Sequence, residues 1–249
     1  MRGLLEGPLF LPCIFQGIKI KFNKEIFMRV DMKRVLAFLS AIVLALGLVA
    51  CKSGYSSKIS DVKSALEETC HAEKAESEQY DKMVDAKYPI QDVADDFKDG
   101  AYAEVKSKDR TFFAFHTVVD HSDIESVFKY VKADPASKDK SGMVANMEVL
   151  VIQFDNSGAA NRYFDDIMNA RKKTSDDFAR LDKSIKNEFV EKKEYFAFAC
   201  ESEFMTYNVY ASIDGSTVMY AFVEGPNAEA LKSEYYAFMS KMECSIIKL

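Results

Sequence analysis

The sequence predicts an α+β fold, a mainly antiparallel sheet covered by helices. Short apolar runs bounded by turn residues point to strands, and stripes at spacings of three and four between them point to amphipathic helices. A composition of 48% hydrophobic and 29% charged residues suits a packed core and excludes a disordered or collagen-like chain. Of the 249 residues, 58–249 are read as one domain of this kind.

From Lys58 to about Ala86, Ile59, Val62, Leu66, Cys70, Tyr80, Met83 and Val84 recur at helical spacing, predicting one long amphipathic helix or two shorter ones. Pro89 ends that segment, and a helical turn over Val93 to Phe97 stops at Gly100. Ala101 to Lys106 reads as a strand. Thr111 to Val119 is apolar on both faces and predicts an interior strand. Ser122 and Glu125 form a capping-box pattern, predicting a helix with Ile124, Val127, Phe128 and Val131 inward. Asp134 to Gly142 is a loop and Met147 to Phe154 a buried strand. Asn156, Ser157 and Gly158 lead into a helix with Tyr163, Phe164, Ile167 and Met168 on one side.

Thr174 and Asp177 are placed to cap a further helix carrying Phe178, Leu181 and Ile185. Glu188 to Cys200 predicts a hairpin turning at Lys192 and Lys193. Phe204 to Ile213 alternates, with Met205, Tyr207, Val209, Ala211 and Ile213 on one face, and Asp214 with Gly215 signals a tight turn back into a strand over Thr217 to Val223. Gly225, Pro226 and Asn227 open a final helix with Leu231, Tyr235, Phe238, Met239 and Met242 inward. Phe112 to His116 matches Tyr195 to Ala199, and Val151 to Met168 echoes Met219 to Met239. Residues 101–172 and 186–245 are therefore expected to be duplicated halves, each a hairpin, a third strand and a closing helix.

The N-terminal region carries the most specific functional signal. Met32 is followed by the basic pair Lys33 and Arg34, then sixteen uncharged, mostly apolar residues from Val35 to Ala50, the layout of an export signal over residues 32–50. The run falls short of the ~20 residues a membrane-crossing helix needs. Its end, Leu48, Val49, Ala50 and Cys51, resembles the lipobox of bacterial lipoproteins, with Val49 in place of a more usual small residue. The resemblance implies cleavage before Cys51, a covalent diacylglycerol on its thiol and a fatty acyl chain on its amine. It implies no other cofactor. Residues 51–57 then form a lipidated polar tether. Residues 1–31 read as an extension ahead of a start at Met32 or Met28.

Residues 1–50 hold seven Lys+Arg and three Asp+Glu, so processing takes the chain from 33 and 39 to 26 and 36, a net charge of -10. An acidic body is not a nucleic-acid binder and is repelled by an anionic bilayer beyond its anchor. The location expected is the outer side of a cell membrane or outer membrane, with the membrane as one partner and an extracytoplasmic protein, peptide or glycan as ligand.

Candidate chemistry is sparse. His71, His116 and His121 lack ligand spacing, so no metal site is expected. The adjacent pairs Asp95/Asp96, Asp165/Asp166 and Asp176/Asp177 read as solvated faces, and no catalytic residue is assigned. Cys200 and Cys244 are the favoured pair for a disulfide, with Cys70 left over. Tyr195, Tyr207, Tyr210 and Tyr220 fall on strands and would form a binding surface if one sheet face were uncovered. A binding or sensing lipoprotein follows from this reading. A cell-envelope hydrolase using scattered carboxylates and a structural or assembly lipoprotein are its rivals.

Overall fold

A computed structural model describes residues 58–249 apart from 85–87, 106–112, 115–116, 119–122 and 182. The export signal, the lipobox at Leu48 to Cys51, the tether, His116, His121 and Ser122 lie outside the described residues.

The chain opens with α1 (Ile59–Cys70), which ends where His71 adopts a left-handed φ of 54°, and α2 (Ser77–Val84) follows. The N-terminal stripe is therefore two helices. They are separated by β1 (Glu73–Lys74), paired in parallel with β2 (Ala101–Val105). Of the expected interior strand at Thr111 to Val119, β3 (Phe113–Ala114) and β4 (Thr117–Val118) pair only with each other, in a two-stranded sheet.

The main sheet continues with β5 (Ile124–Asp134) and β6 (Ala145–Phe154). It is completed, after α3 (Ser157–Leu181), by β7 (Lys186–Glu191), β8 (Tyr195–Glu201), β9 (Thr206–Asp214) and β10 (Thr217–Gly225), and α4 (Glu229–Lys241) closes the domain. Strand order is β1-β2-β5-β6-β10-β9-β8-β7, antiparallel everywhere except β1–β2.

Two helix expectations are corrected. Residues 124–134 form β5, not a helix. Val127, Lys129, Val131 and Ala133 alternate with Phe128, Tyr130 and Lys132 across a strand covered on both sides. Lys129 pairs with Glu148 on one face and Lys132 with Glu234 on the other, so the two lysines, three apart, mimic a helical period. Nor does Thr174 start a new helix: α3 runs unbroken for 25 residues, and the Thr174 hydroxyl donates to Ala170 C=O inside it. Its N-terminus is where the sequence places it, with Ala159 N–H donating to Asn156 Oδ1 at 2.9 Å.

Helices cover both faces of the sheet. α1 and α4 pack Val62, Leu66, Leu231, Tyr235 and Phe238 against Phe128, Val149, Tyr210 and Ala221. On the other face α3 packs Tyr163, Phe164 and Ile167 against Leu150, Phe196, Tyr220 and Phe222. A third cluster joins Met83 of α2, Phe97 of a 3-10 turn (Ala94–Phe97) and Val131 of β5. Burial on both sides explains why Val218 to Val223 is an unbroken apolar run with no residue more than 1% exposed. The fully buried Phe222 there contributes about 1.5–3 kcal/mol. β6 with α3 and β10 with α4 are two strand-helix units whose helices lie on opposite faces of the sheet, and β3, in the segment matched with β8, is outside the main sheet.

Candidate functional site

Helix α4 lies over β6 and β10, its Lys232 reaches Glu201 of β8 at 2.7 Å, and the C-terminal tail that follows lies against β7 and β8. Glu243 takes a left-handed φ of 55° and Cys244 N–H donates to Met239 C=O, which ends the helical run and turns the tail toward the outer strands. Between that tail and the β7–β8 hairpin is a cavity of about 400 Å³, lined by Glu188, Val190, Tyr195, Ala197 and the tail residues 245–248. Its size falls within the ~300–1,000 Å³ of small-ligand pockets.

Register explains the space. Val190 faces Ala197 and Glu188 faces Ala199, so both β7 residues on this side stand opposite small β8 side chains. Val190 and Ile246 pack against the core at the base, and the Tyr195 ring stacks on Tyr210 at 5.7 Å. Lys248 lines the same pocket, with Nζ 5.3 Å from the Tyr236 ring centroid. Glu188 makes no ion pair among the described residues. The site offers an apolar base, one aromatic wall and one charge of each sign.

The expected tyrosine surface is corrected by the coverage of both faces. Tyr210 and Tyr220 are fully buried, and Tyr207 is buried beside Tyr220 in the α3 layer. Tyr195 and Tyr210 point to the α1/α4 side, whereas Tyr207 and Tyr220 point to the α3 side, so the four share no face. Of the four, Tyr195 lines the cavity beside the C-terminal tail. The Cys200–Cys244 bridge is not formed: Cys200 packs in the α3 layer, Cys244 on the α1/α4 side, and Cys70, Cys200 and Cys244 are all free thiols. Burial pushes Cys200 up to about 11 and Cys244 up to about 12, keeping both protonated at neutral pH.

A second cluster, not anticipated from the sequence, lies under α3. Arg171, only 5% exposed, donates from Nε to the Tyr220 hydroxyl at 3.0 Å, and its guanidinium sits 5.6 Å from the Tyr207 ring centroid. On the same sheet face β6 contributes Asn146 and Glu148 and β10 contributes Glu224. Lys129 holds Glu148 at 3.2 Å and donates to Met83 C=O. Burial, followed by the charge of Glu148, raises Glu224 to about 7, against the opposing pull of Asn146 and Arg171. The one available signal was a lone glutamate in each of two apolar strands, in MEVLVIQF and VMYAFVEG, at the alternation of inward residues.

A carboxyl with raised proton affinity in the folded state stabilises the fold when protonated. Its contribution is fully present below about pH 4.5 and is lost as pH rises through about 7. Glu224 is expected to remove on the order of 3 kcal/mol between those limits. Glu224→Gln should flatten that part of the stability profile and raise stability at pH 8. Urea unfolding at pH 5 and pH 8 checks this, and an unchanged pH dependence in the variant would refute it.

The acidic loops have local uses. Asp139 Oδ1 accepts from Ser141 N–H, Ser141 Oγ–H and Met143 N–H, which holds its carboxyl below the usual range. Asp96 pairs with Lys82 at 2.9 Å, Asp177 pairs with Arg180, and Asp165 and Asp166 are exposed.

No family model matches the chain, and no curated protein matches it. Among solved structures it is similar to the extracellular domain of PknH from Mycobacterium tuberculosis, with 8% sequence identity and a TM-score of 0.28. The match covers 49% of this chain and 66% of that chain, just under two thirds of its length. That likeness is too slight to transfer a fold or a function.

Proposed function

We propose that the chain is a bacterial lipoprotein, held on the outer side of a membrane by lipid on Cys51, whose domain binds an extracytoplasmic ligand in the pocket at the sheet edge. The observation that carries the anchor is the order of Lys33 and Arg34, the apolar run from Val35 to Ala50 and the terminal Cys51. Among the described residues no helix is long and apolar enough to cross a membrane. Each buried methylene contributes about 0.8 kcal/mol, and two or more chains hold a protein stably where one does not. The binding half of the reading is supported by a concave site that joins Tyr195 and aliphatic walls to Glu188, Ser245 and Lys248.

Cys51→Ser is expected to move the protein from the membrane to the soluble fraction, and globomycin to accumulate an unprocessed precursor. Continued partition of the variant into the detergent phase would end the lipoprotein reading. Filling the pocket by Val190→Trp should abolish ligand retention without changing localisation.

A cell-envelope hydrolase is favoured by one observation: Glu224 is protonatable near neutrality beside Glu148, which Lys129 keeps company as an ion pair. Carboxyls with separated proton affinities are how acid and base roles divide in such enzymes. Hydrolysis of a glycan that Glu224→Gln abolishes would support that alternative.

A further inference from the structure

The two edges of the main sheet differ. One is closed by β1, two residues long and parallel to its neighbour, whereas the other ends in the six-residue β7. Short edge strands and edge charges are common guards against unwanted pairing. On β7, however, two of the charges are engaged within the chain: Glu191 with Lys172 at 2.7 Å, and Lys186 with Glu201 at 4.0 Å. Glu188 is left, and it lines the pocket.

The backbone of β7 can be followed residue by residue. Lys192 N–H donates to Tyr195 C=O at 2.9 Å, which makes 192 and 195 a hydrogen-bonded pair. In an antiparallel ladder such pairs alternate, so Lys186, Glu188 and Val190 bond to β8. Asn187, Phe189 and Glu191 then direct their N–H and C=O groups away from the sheet. Any strand added there would place alternate side chains on the α1/α4 side, beside Glu188 and Val190 and against the cavity.

We infer that β7 accepts an extended peptide as a ninth strand, with an apolar side chain entering the cavity and a basic side chain two residues away meeting Glu188. This rests on the reading of that cavity as the ligand site and names its ligand class. Main-chain bonds to Asn187, Phe189 and Glu191 supply affinity without regard to sequence. The pocket and the carboxylate supply the preference.

The test uses the full lipidated chain in detergent micelles and a capped nonapeptide of alternating threonines, with lysine and leucine two residues apart on one face. Binding should protect the amides of Asn187, Phe189 and Glu191 from hydrogen exchange. Glu191→Pro, which removes an outward N–H while sparing the ladder to β8, should weaken binding about tenfold. Glu188→Lys should weaken it at least about threefold and favour the same peptide with glutamate for lysine. Because Glu188 is exposed, that variant keeps the test sharp if the proline variant misfolds.

Absence of nonapeptide binding overturns the inference. So does binding that leaves the β7 amides unprotected and is indifferent to Glu191→Pro. If such binding is still abolished by Val190→Trp, the pocket survives as a ligand site and only strand addition falls. A dimer that Glu191→Pro converts to a monomer, with no peptide effect, would assign the edge to a second copy of the chain and overturn the inference as well.

Discussion

Gly225→Ala is expected to destabilise the domain by about 3–5 kcal/mol, the sum of a forbidden backbone conformation and an overpacked contact. Gly225 has φ +119°, and a β-carbon there would lie 2.5 Å from Ala145 Cα, 2.8 Å from Val144 O and 2.9 Å from Ala145 N. These are backbone atoms of a neighbouring strand and cannot rotate away. Ala145 is fully buried, and its N–H donates to the Oγ of buried Ser137 at 2.6 Å, so the strand start is held from the far side as well. Gly215 is the internal control. It also has positive φ, +60°, but nothing lies within 4 Å of its would-be β-carbon, and Gly215→Asn should cost well under 1 kcal/mol. Denaturant unfolding of both variants checks this, and a Gly225→Ala cost below about 1 kcal/mol would show that β6 and β10 yield at this point.

The second large effect is expected at Arg171. Arg171→Met should cost about 3–5 kcal/mol, because it removes a buried cation and leaves Glu224 among groups that favour its neutral form. Arg171 lowers the proton affinity of Glu224, so the variant should shift that carboxyl's titration upward from about 7. Addition of Glu224→Gln to Arg171→Met should recover part of the loss, since the pair then lacks the unbalanced charge. Strict additivity of the two single-variant effects, each measured at one pH, would mean that the residues do not interact. NMR titration of the Glu224 side chain and a double-mutant cycle provide the two readouts.

Local chemistry made much of the domain legible. The hairpin signalled by Asp214 and Gly215 forms with Gly215 and Ser216 linking β9 and β10, because a tight turn needs a positive φ that Gly215 supplies. The β7–β8 hairpin turns after Lys192, and α4 buries Leu231, Tyr235, Phe238 and Met239 as its spacing requires, with Met242 buried just past its end. Such signals are set within a few residues. Misreadings occur where a neighbour layer changes the meaning of a pattern. In β5, Lys129 and Lys132 are neutralised by acids on opposite faces, so an interior strand carries the polar rhythm of a helix. In α3, Thr174 resembles a cap but is spent on an i−4 carbonyl, and neither glycine nor proline stops the helix there.

The candidate site was legible only at Tyr195. Tyr207, Tyr210 and Tyr220 share its strand setting and its amphipathic ring, yet helices cover them. Whether an aromatic is core or surface depends on which layer ends first above it, and that is a property of helix length and placement. The cavity lies where the C-terminal tail, beyond the end of α4, crosses Val190 of β7 and Ala197 of β8, a pair whose side chains leave room beside Tyr195.

The sequence alone determined the α+β class, the turns, the amphipathic faces of the outer helices and the expectation of a lipid anchor at Cys51, since each depends on residues adjacent along the chain. Tertiary structure alone decided that both sheet faces are covered, that Cys200 and Cys244 are kept on opposite sides, that Glu224 meets Glu148 and Arg171, and that among the described residues the sheet ends at β7. Those outcomes depend on distances between segments far apart in sequence, which periodicity and spacing along a single chain do not encode.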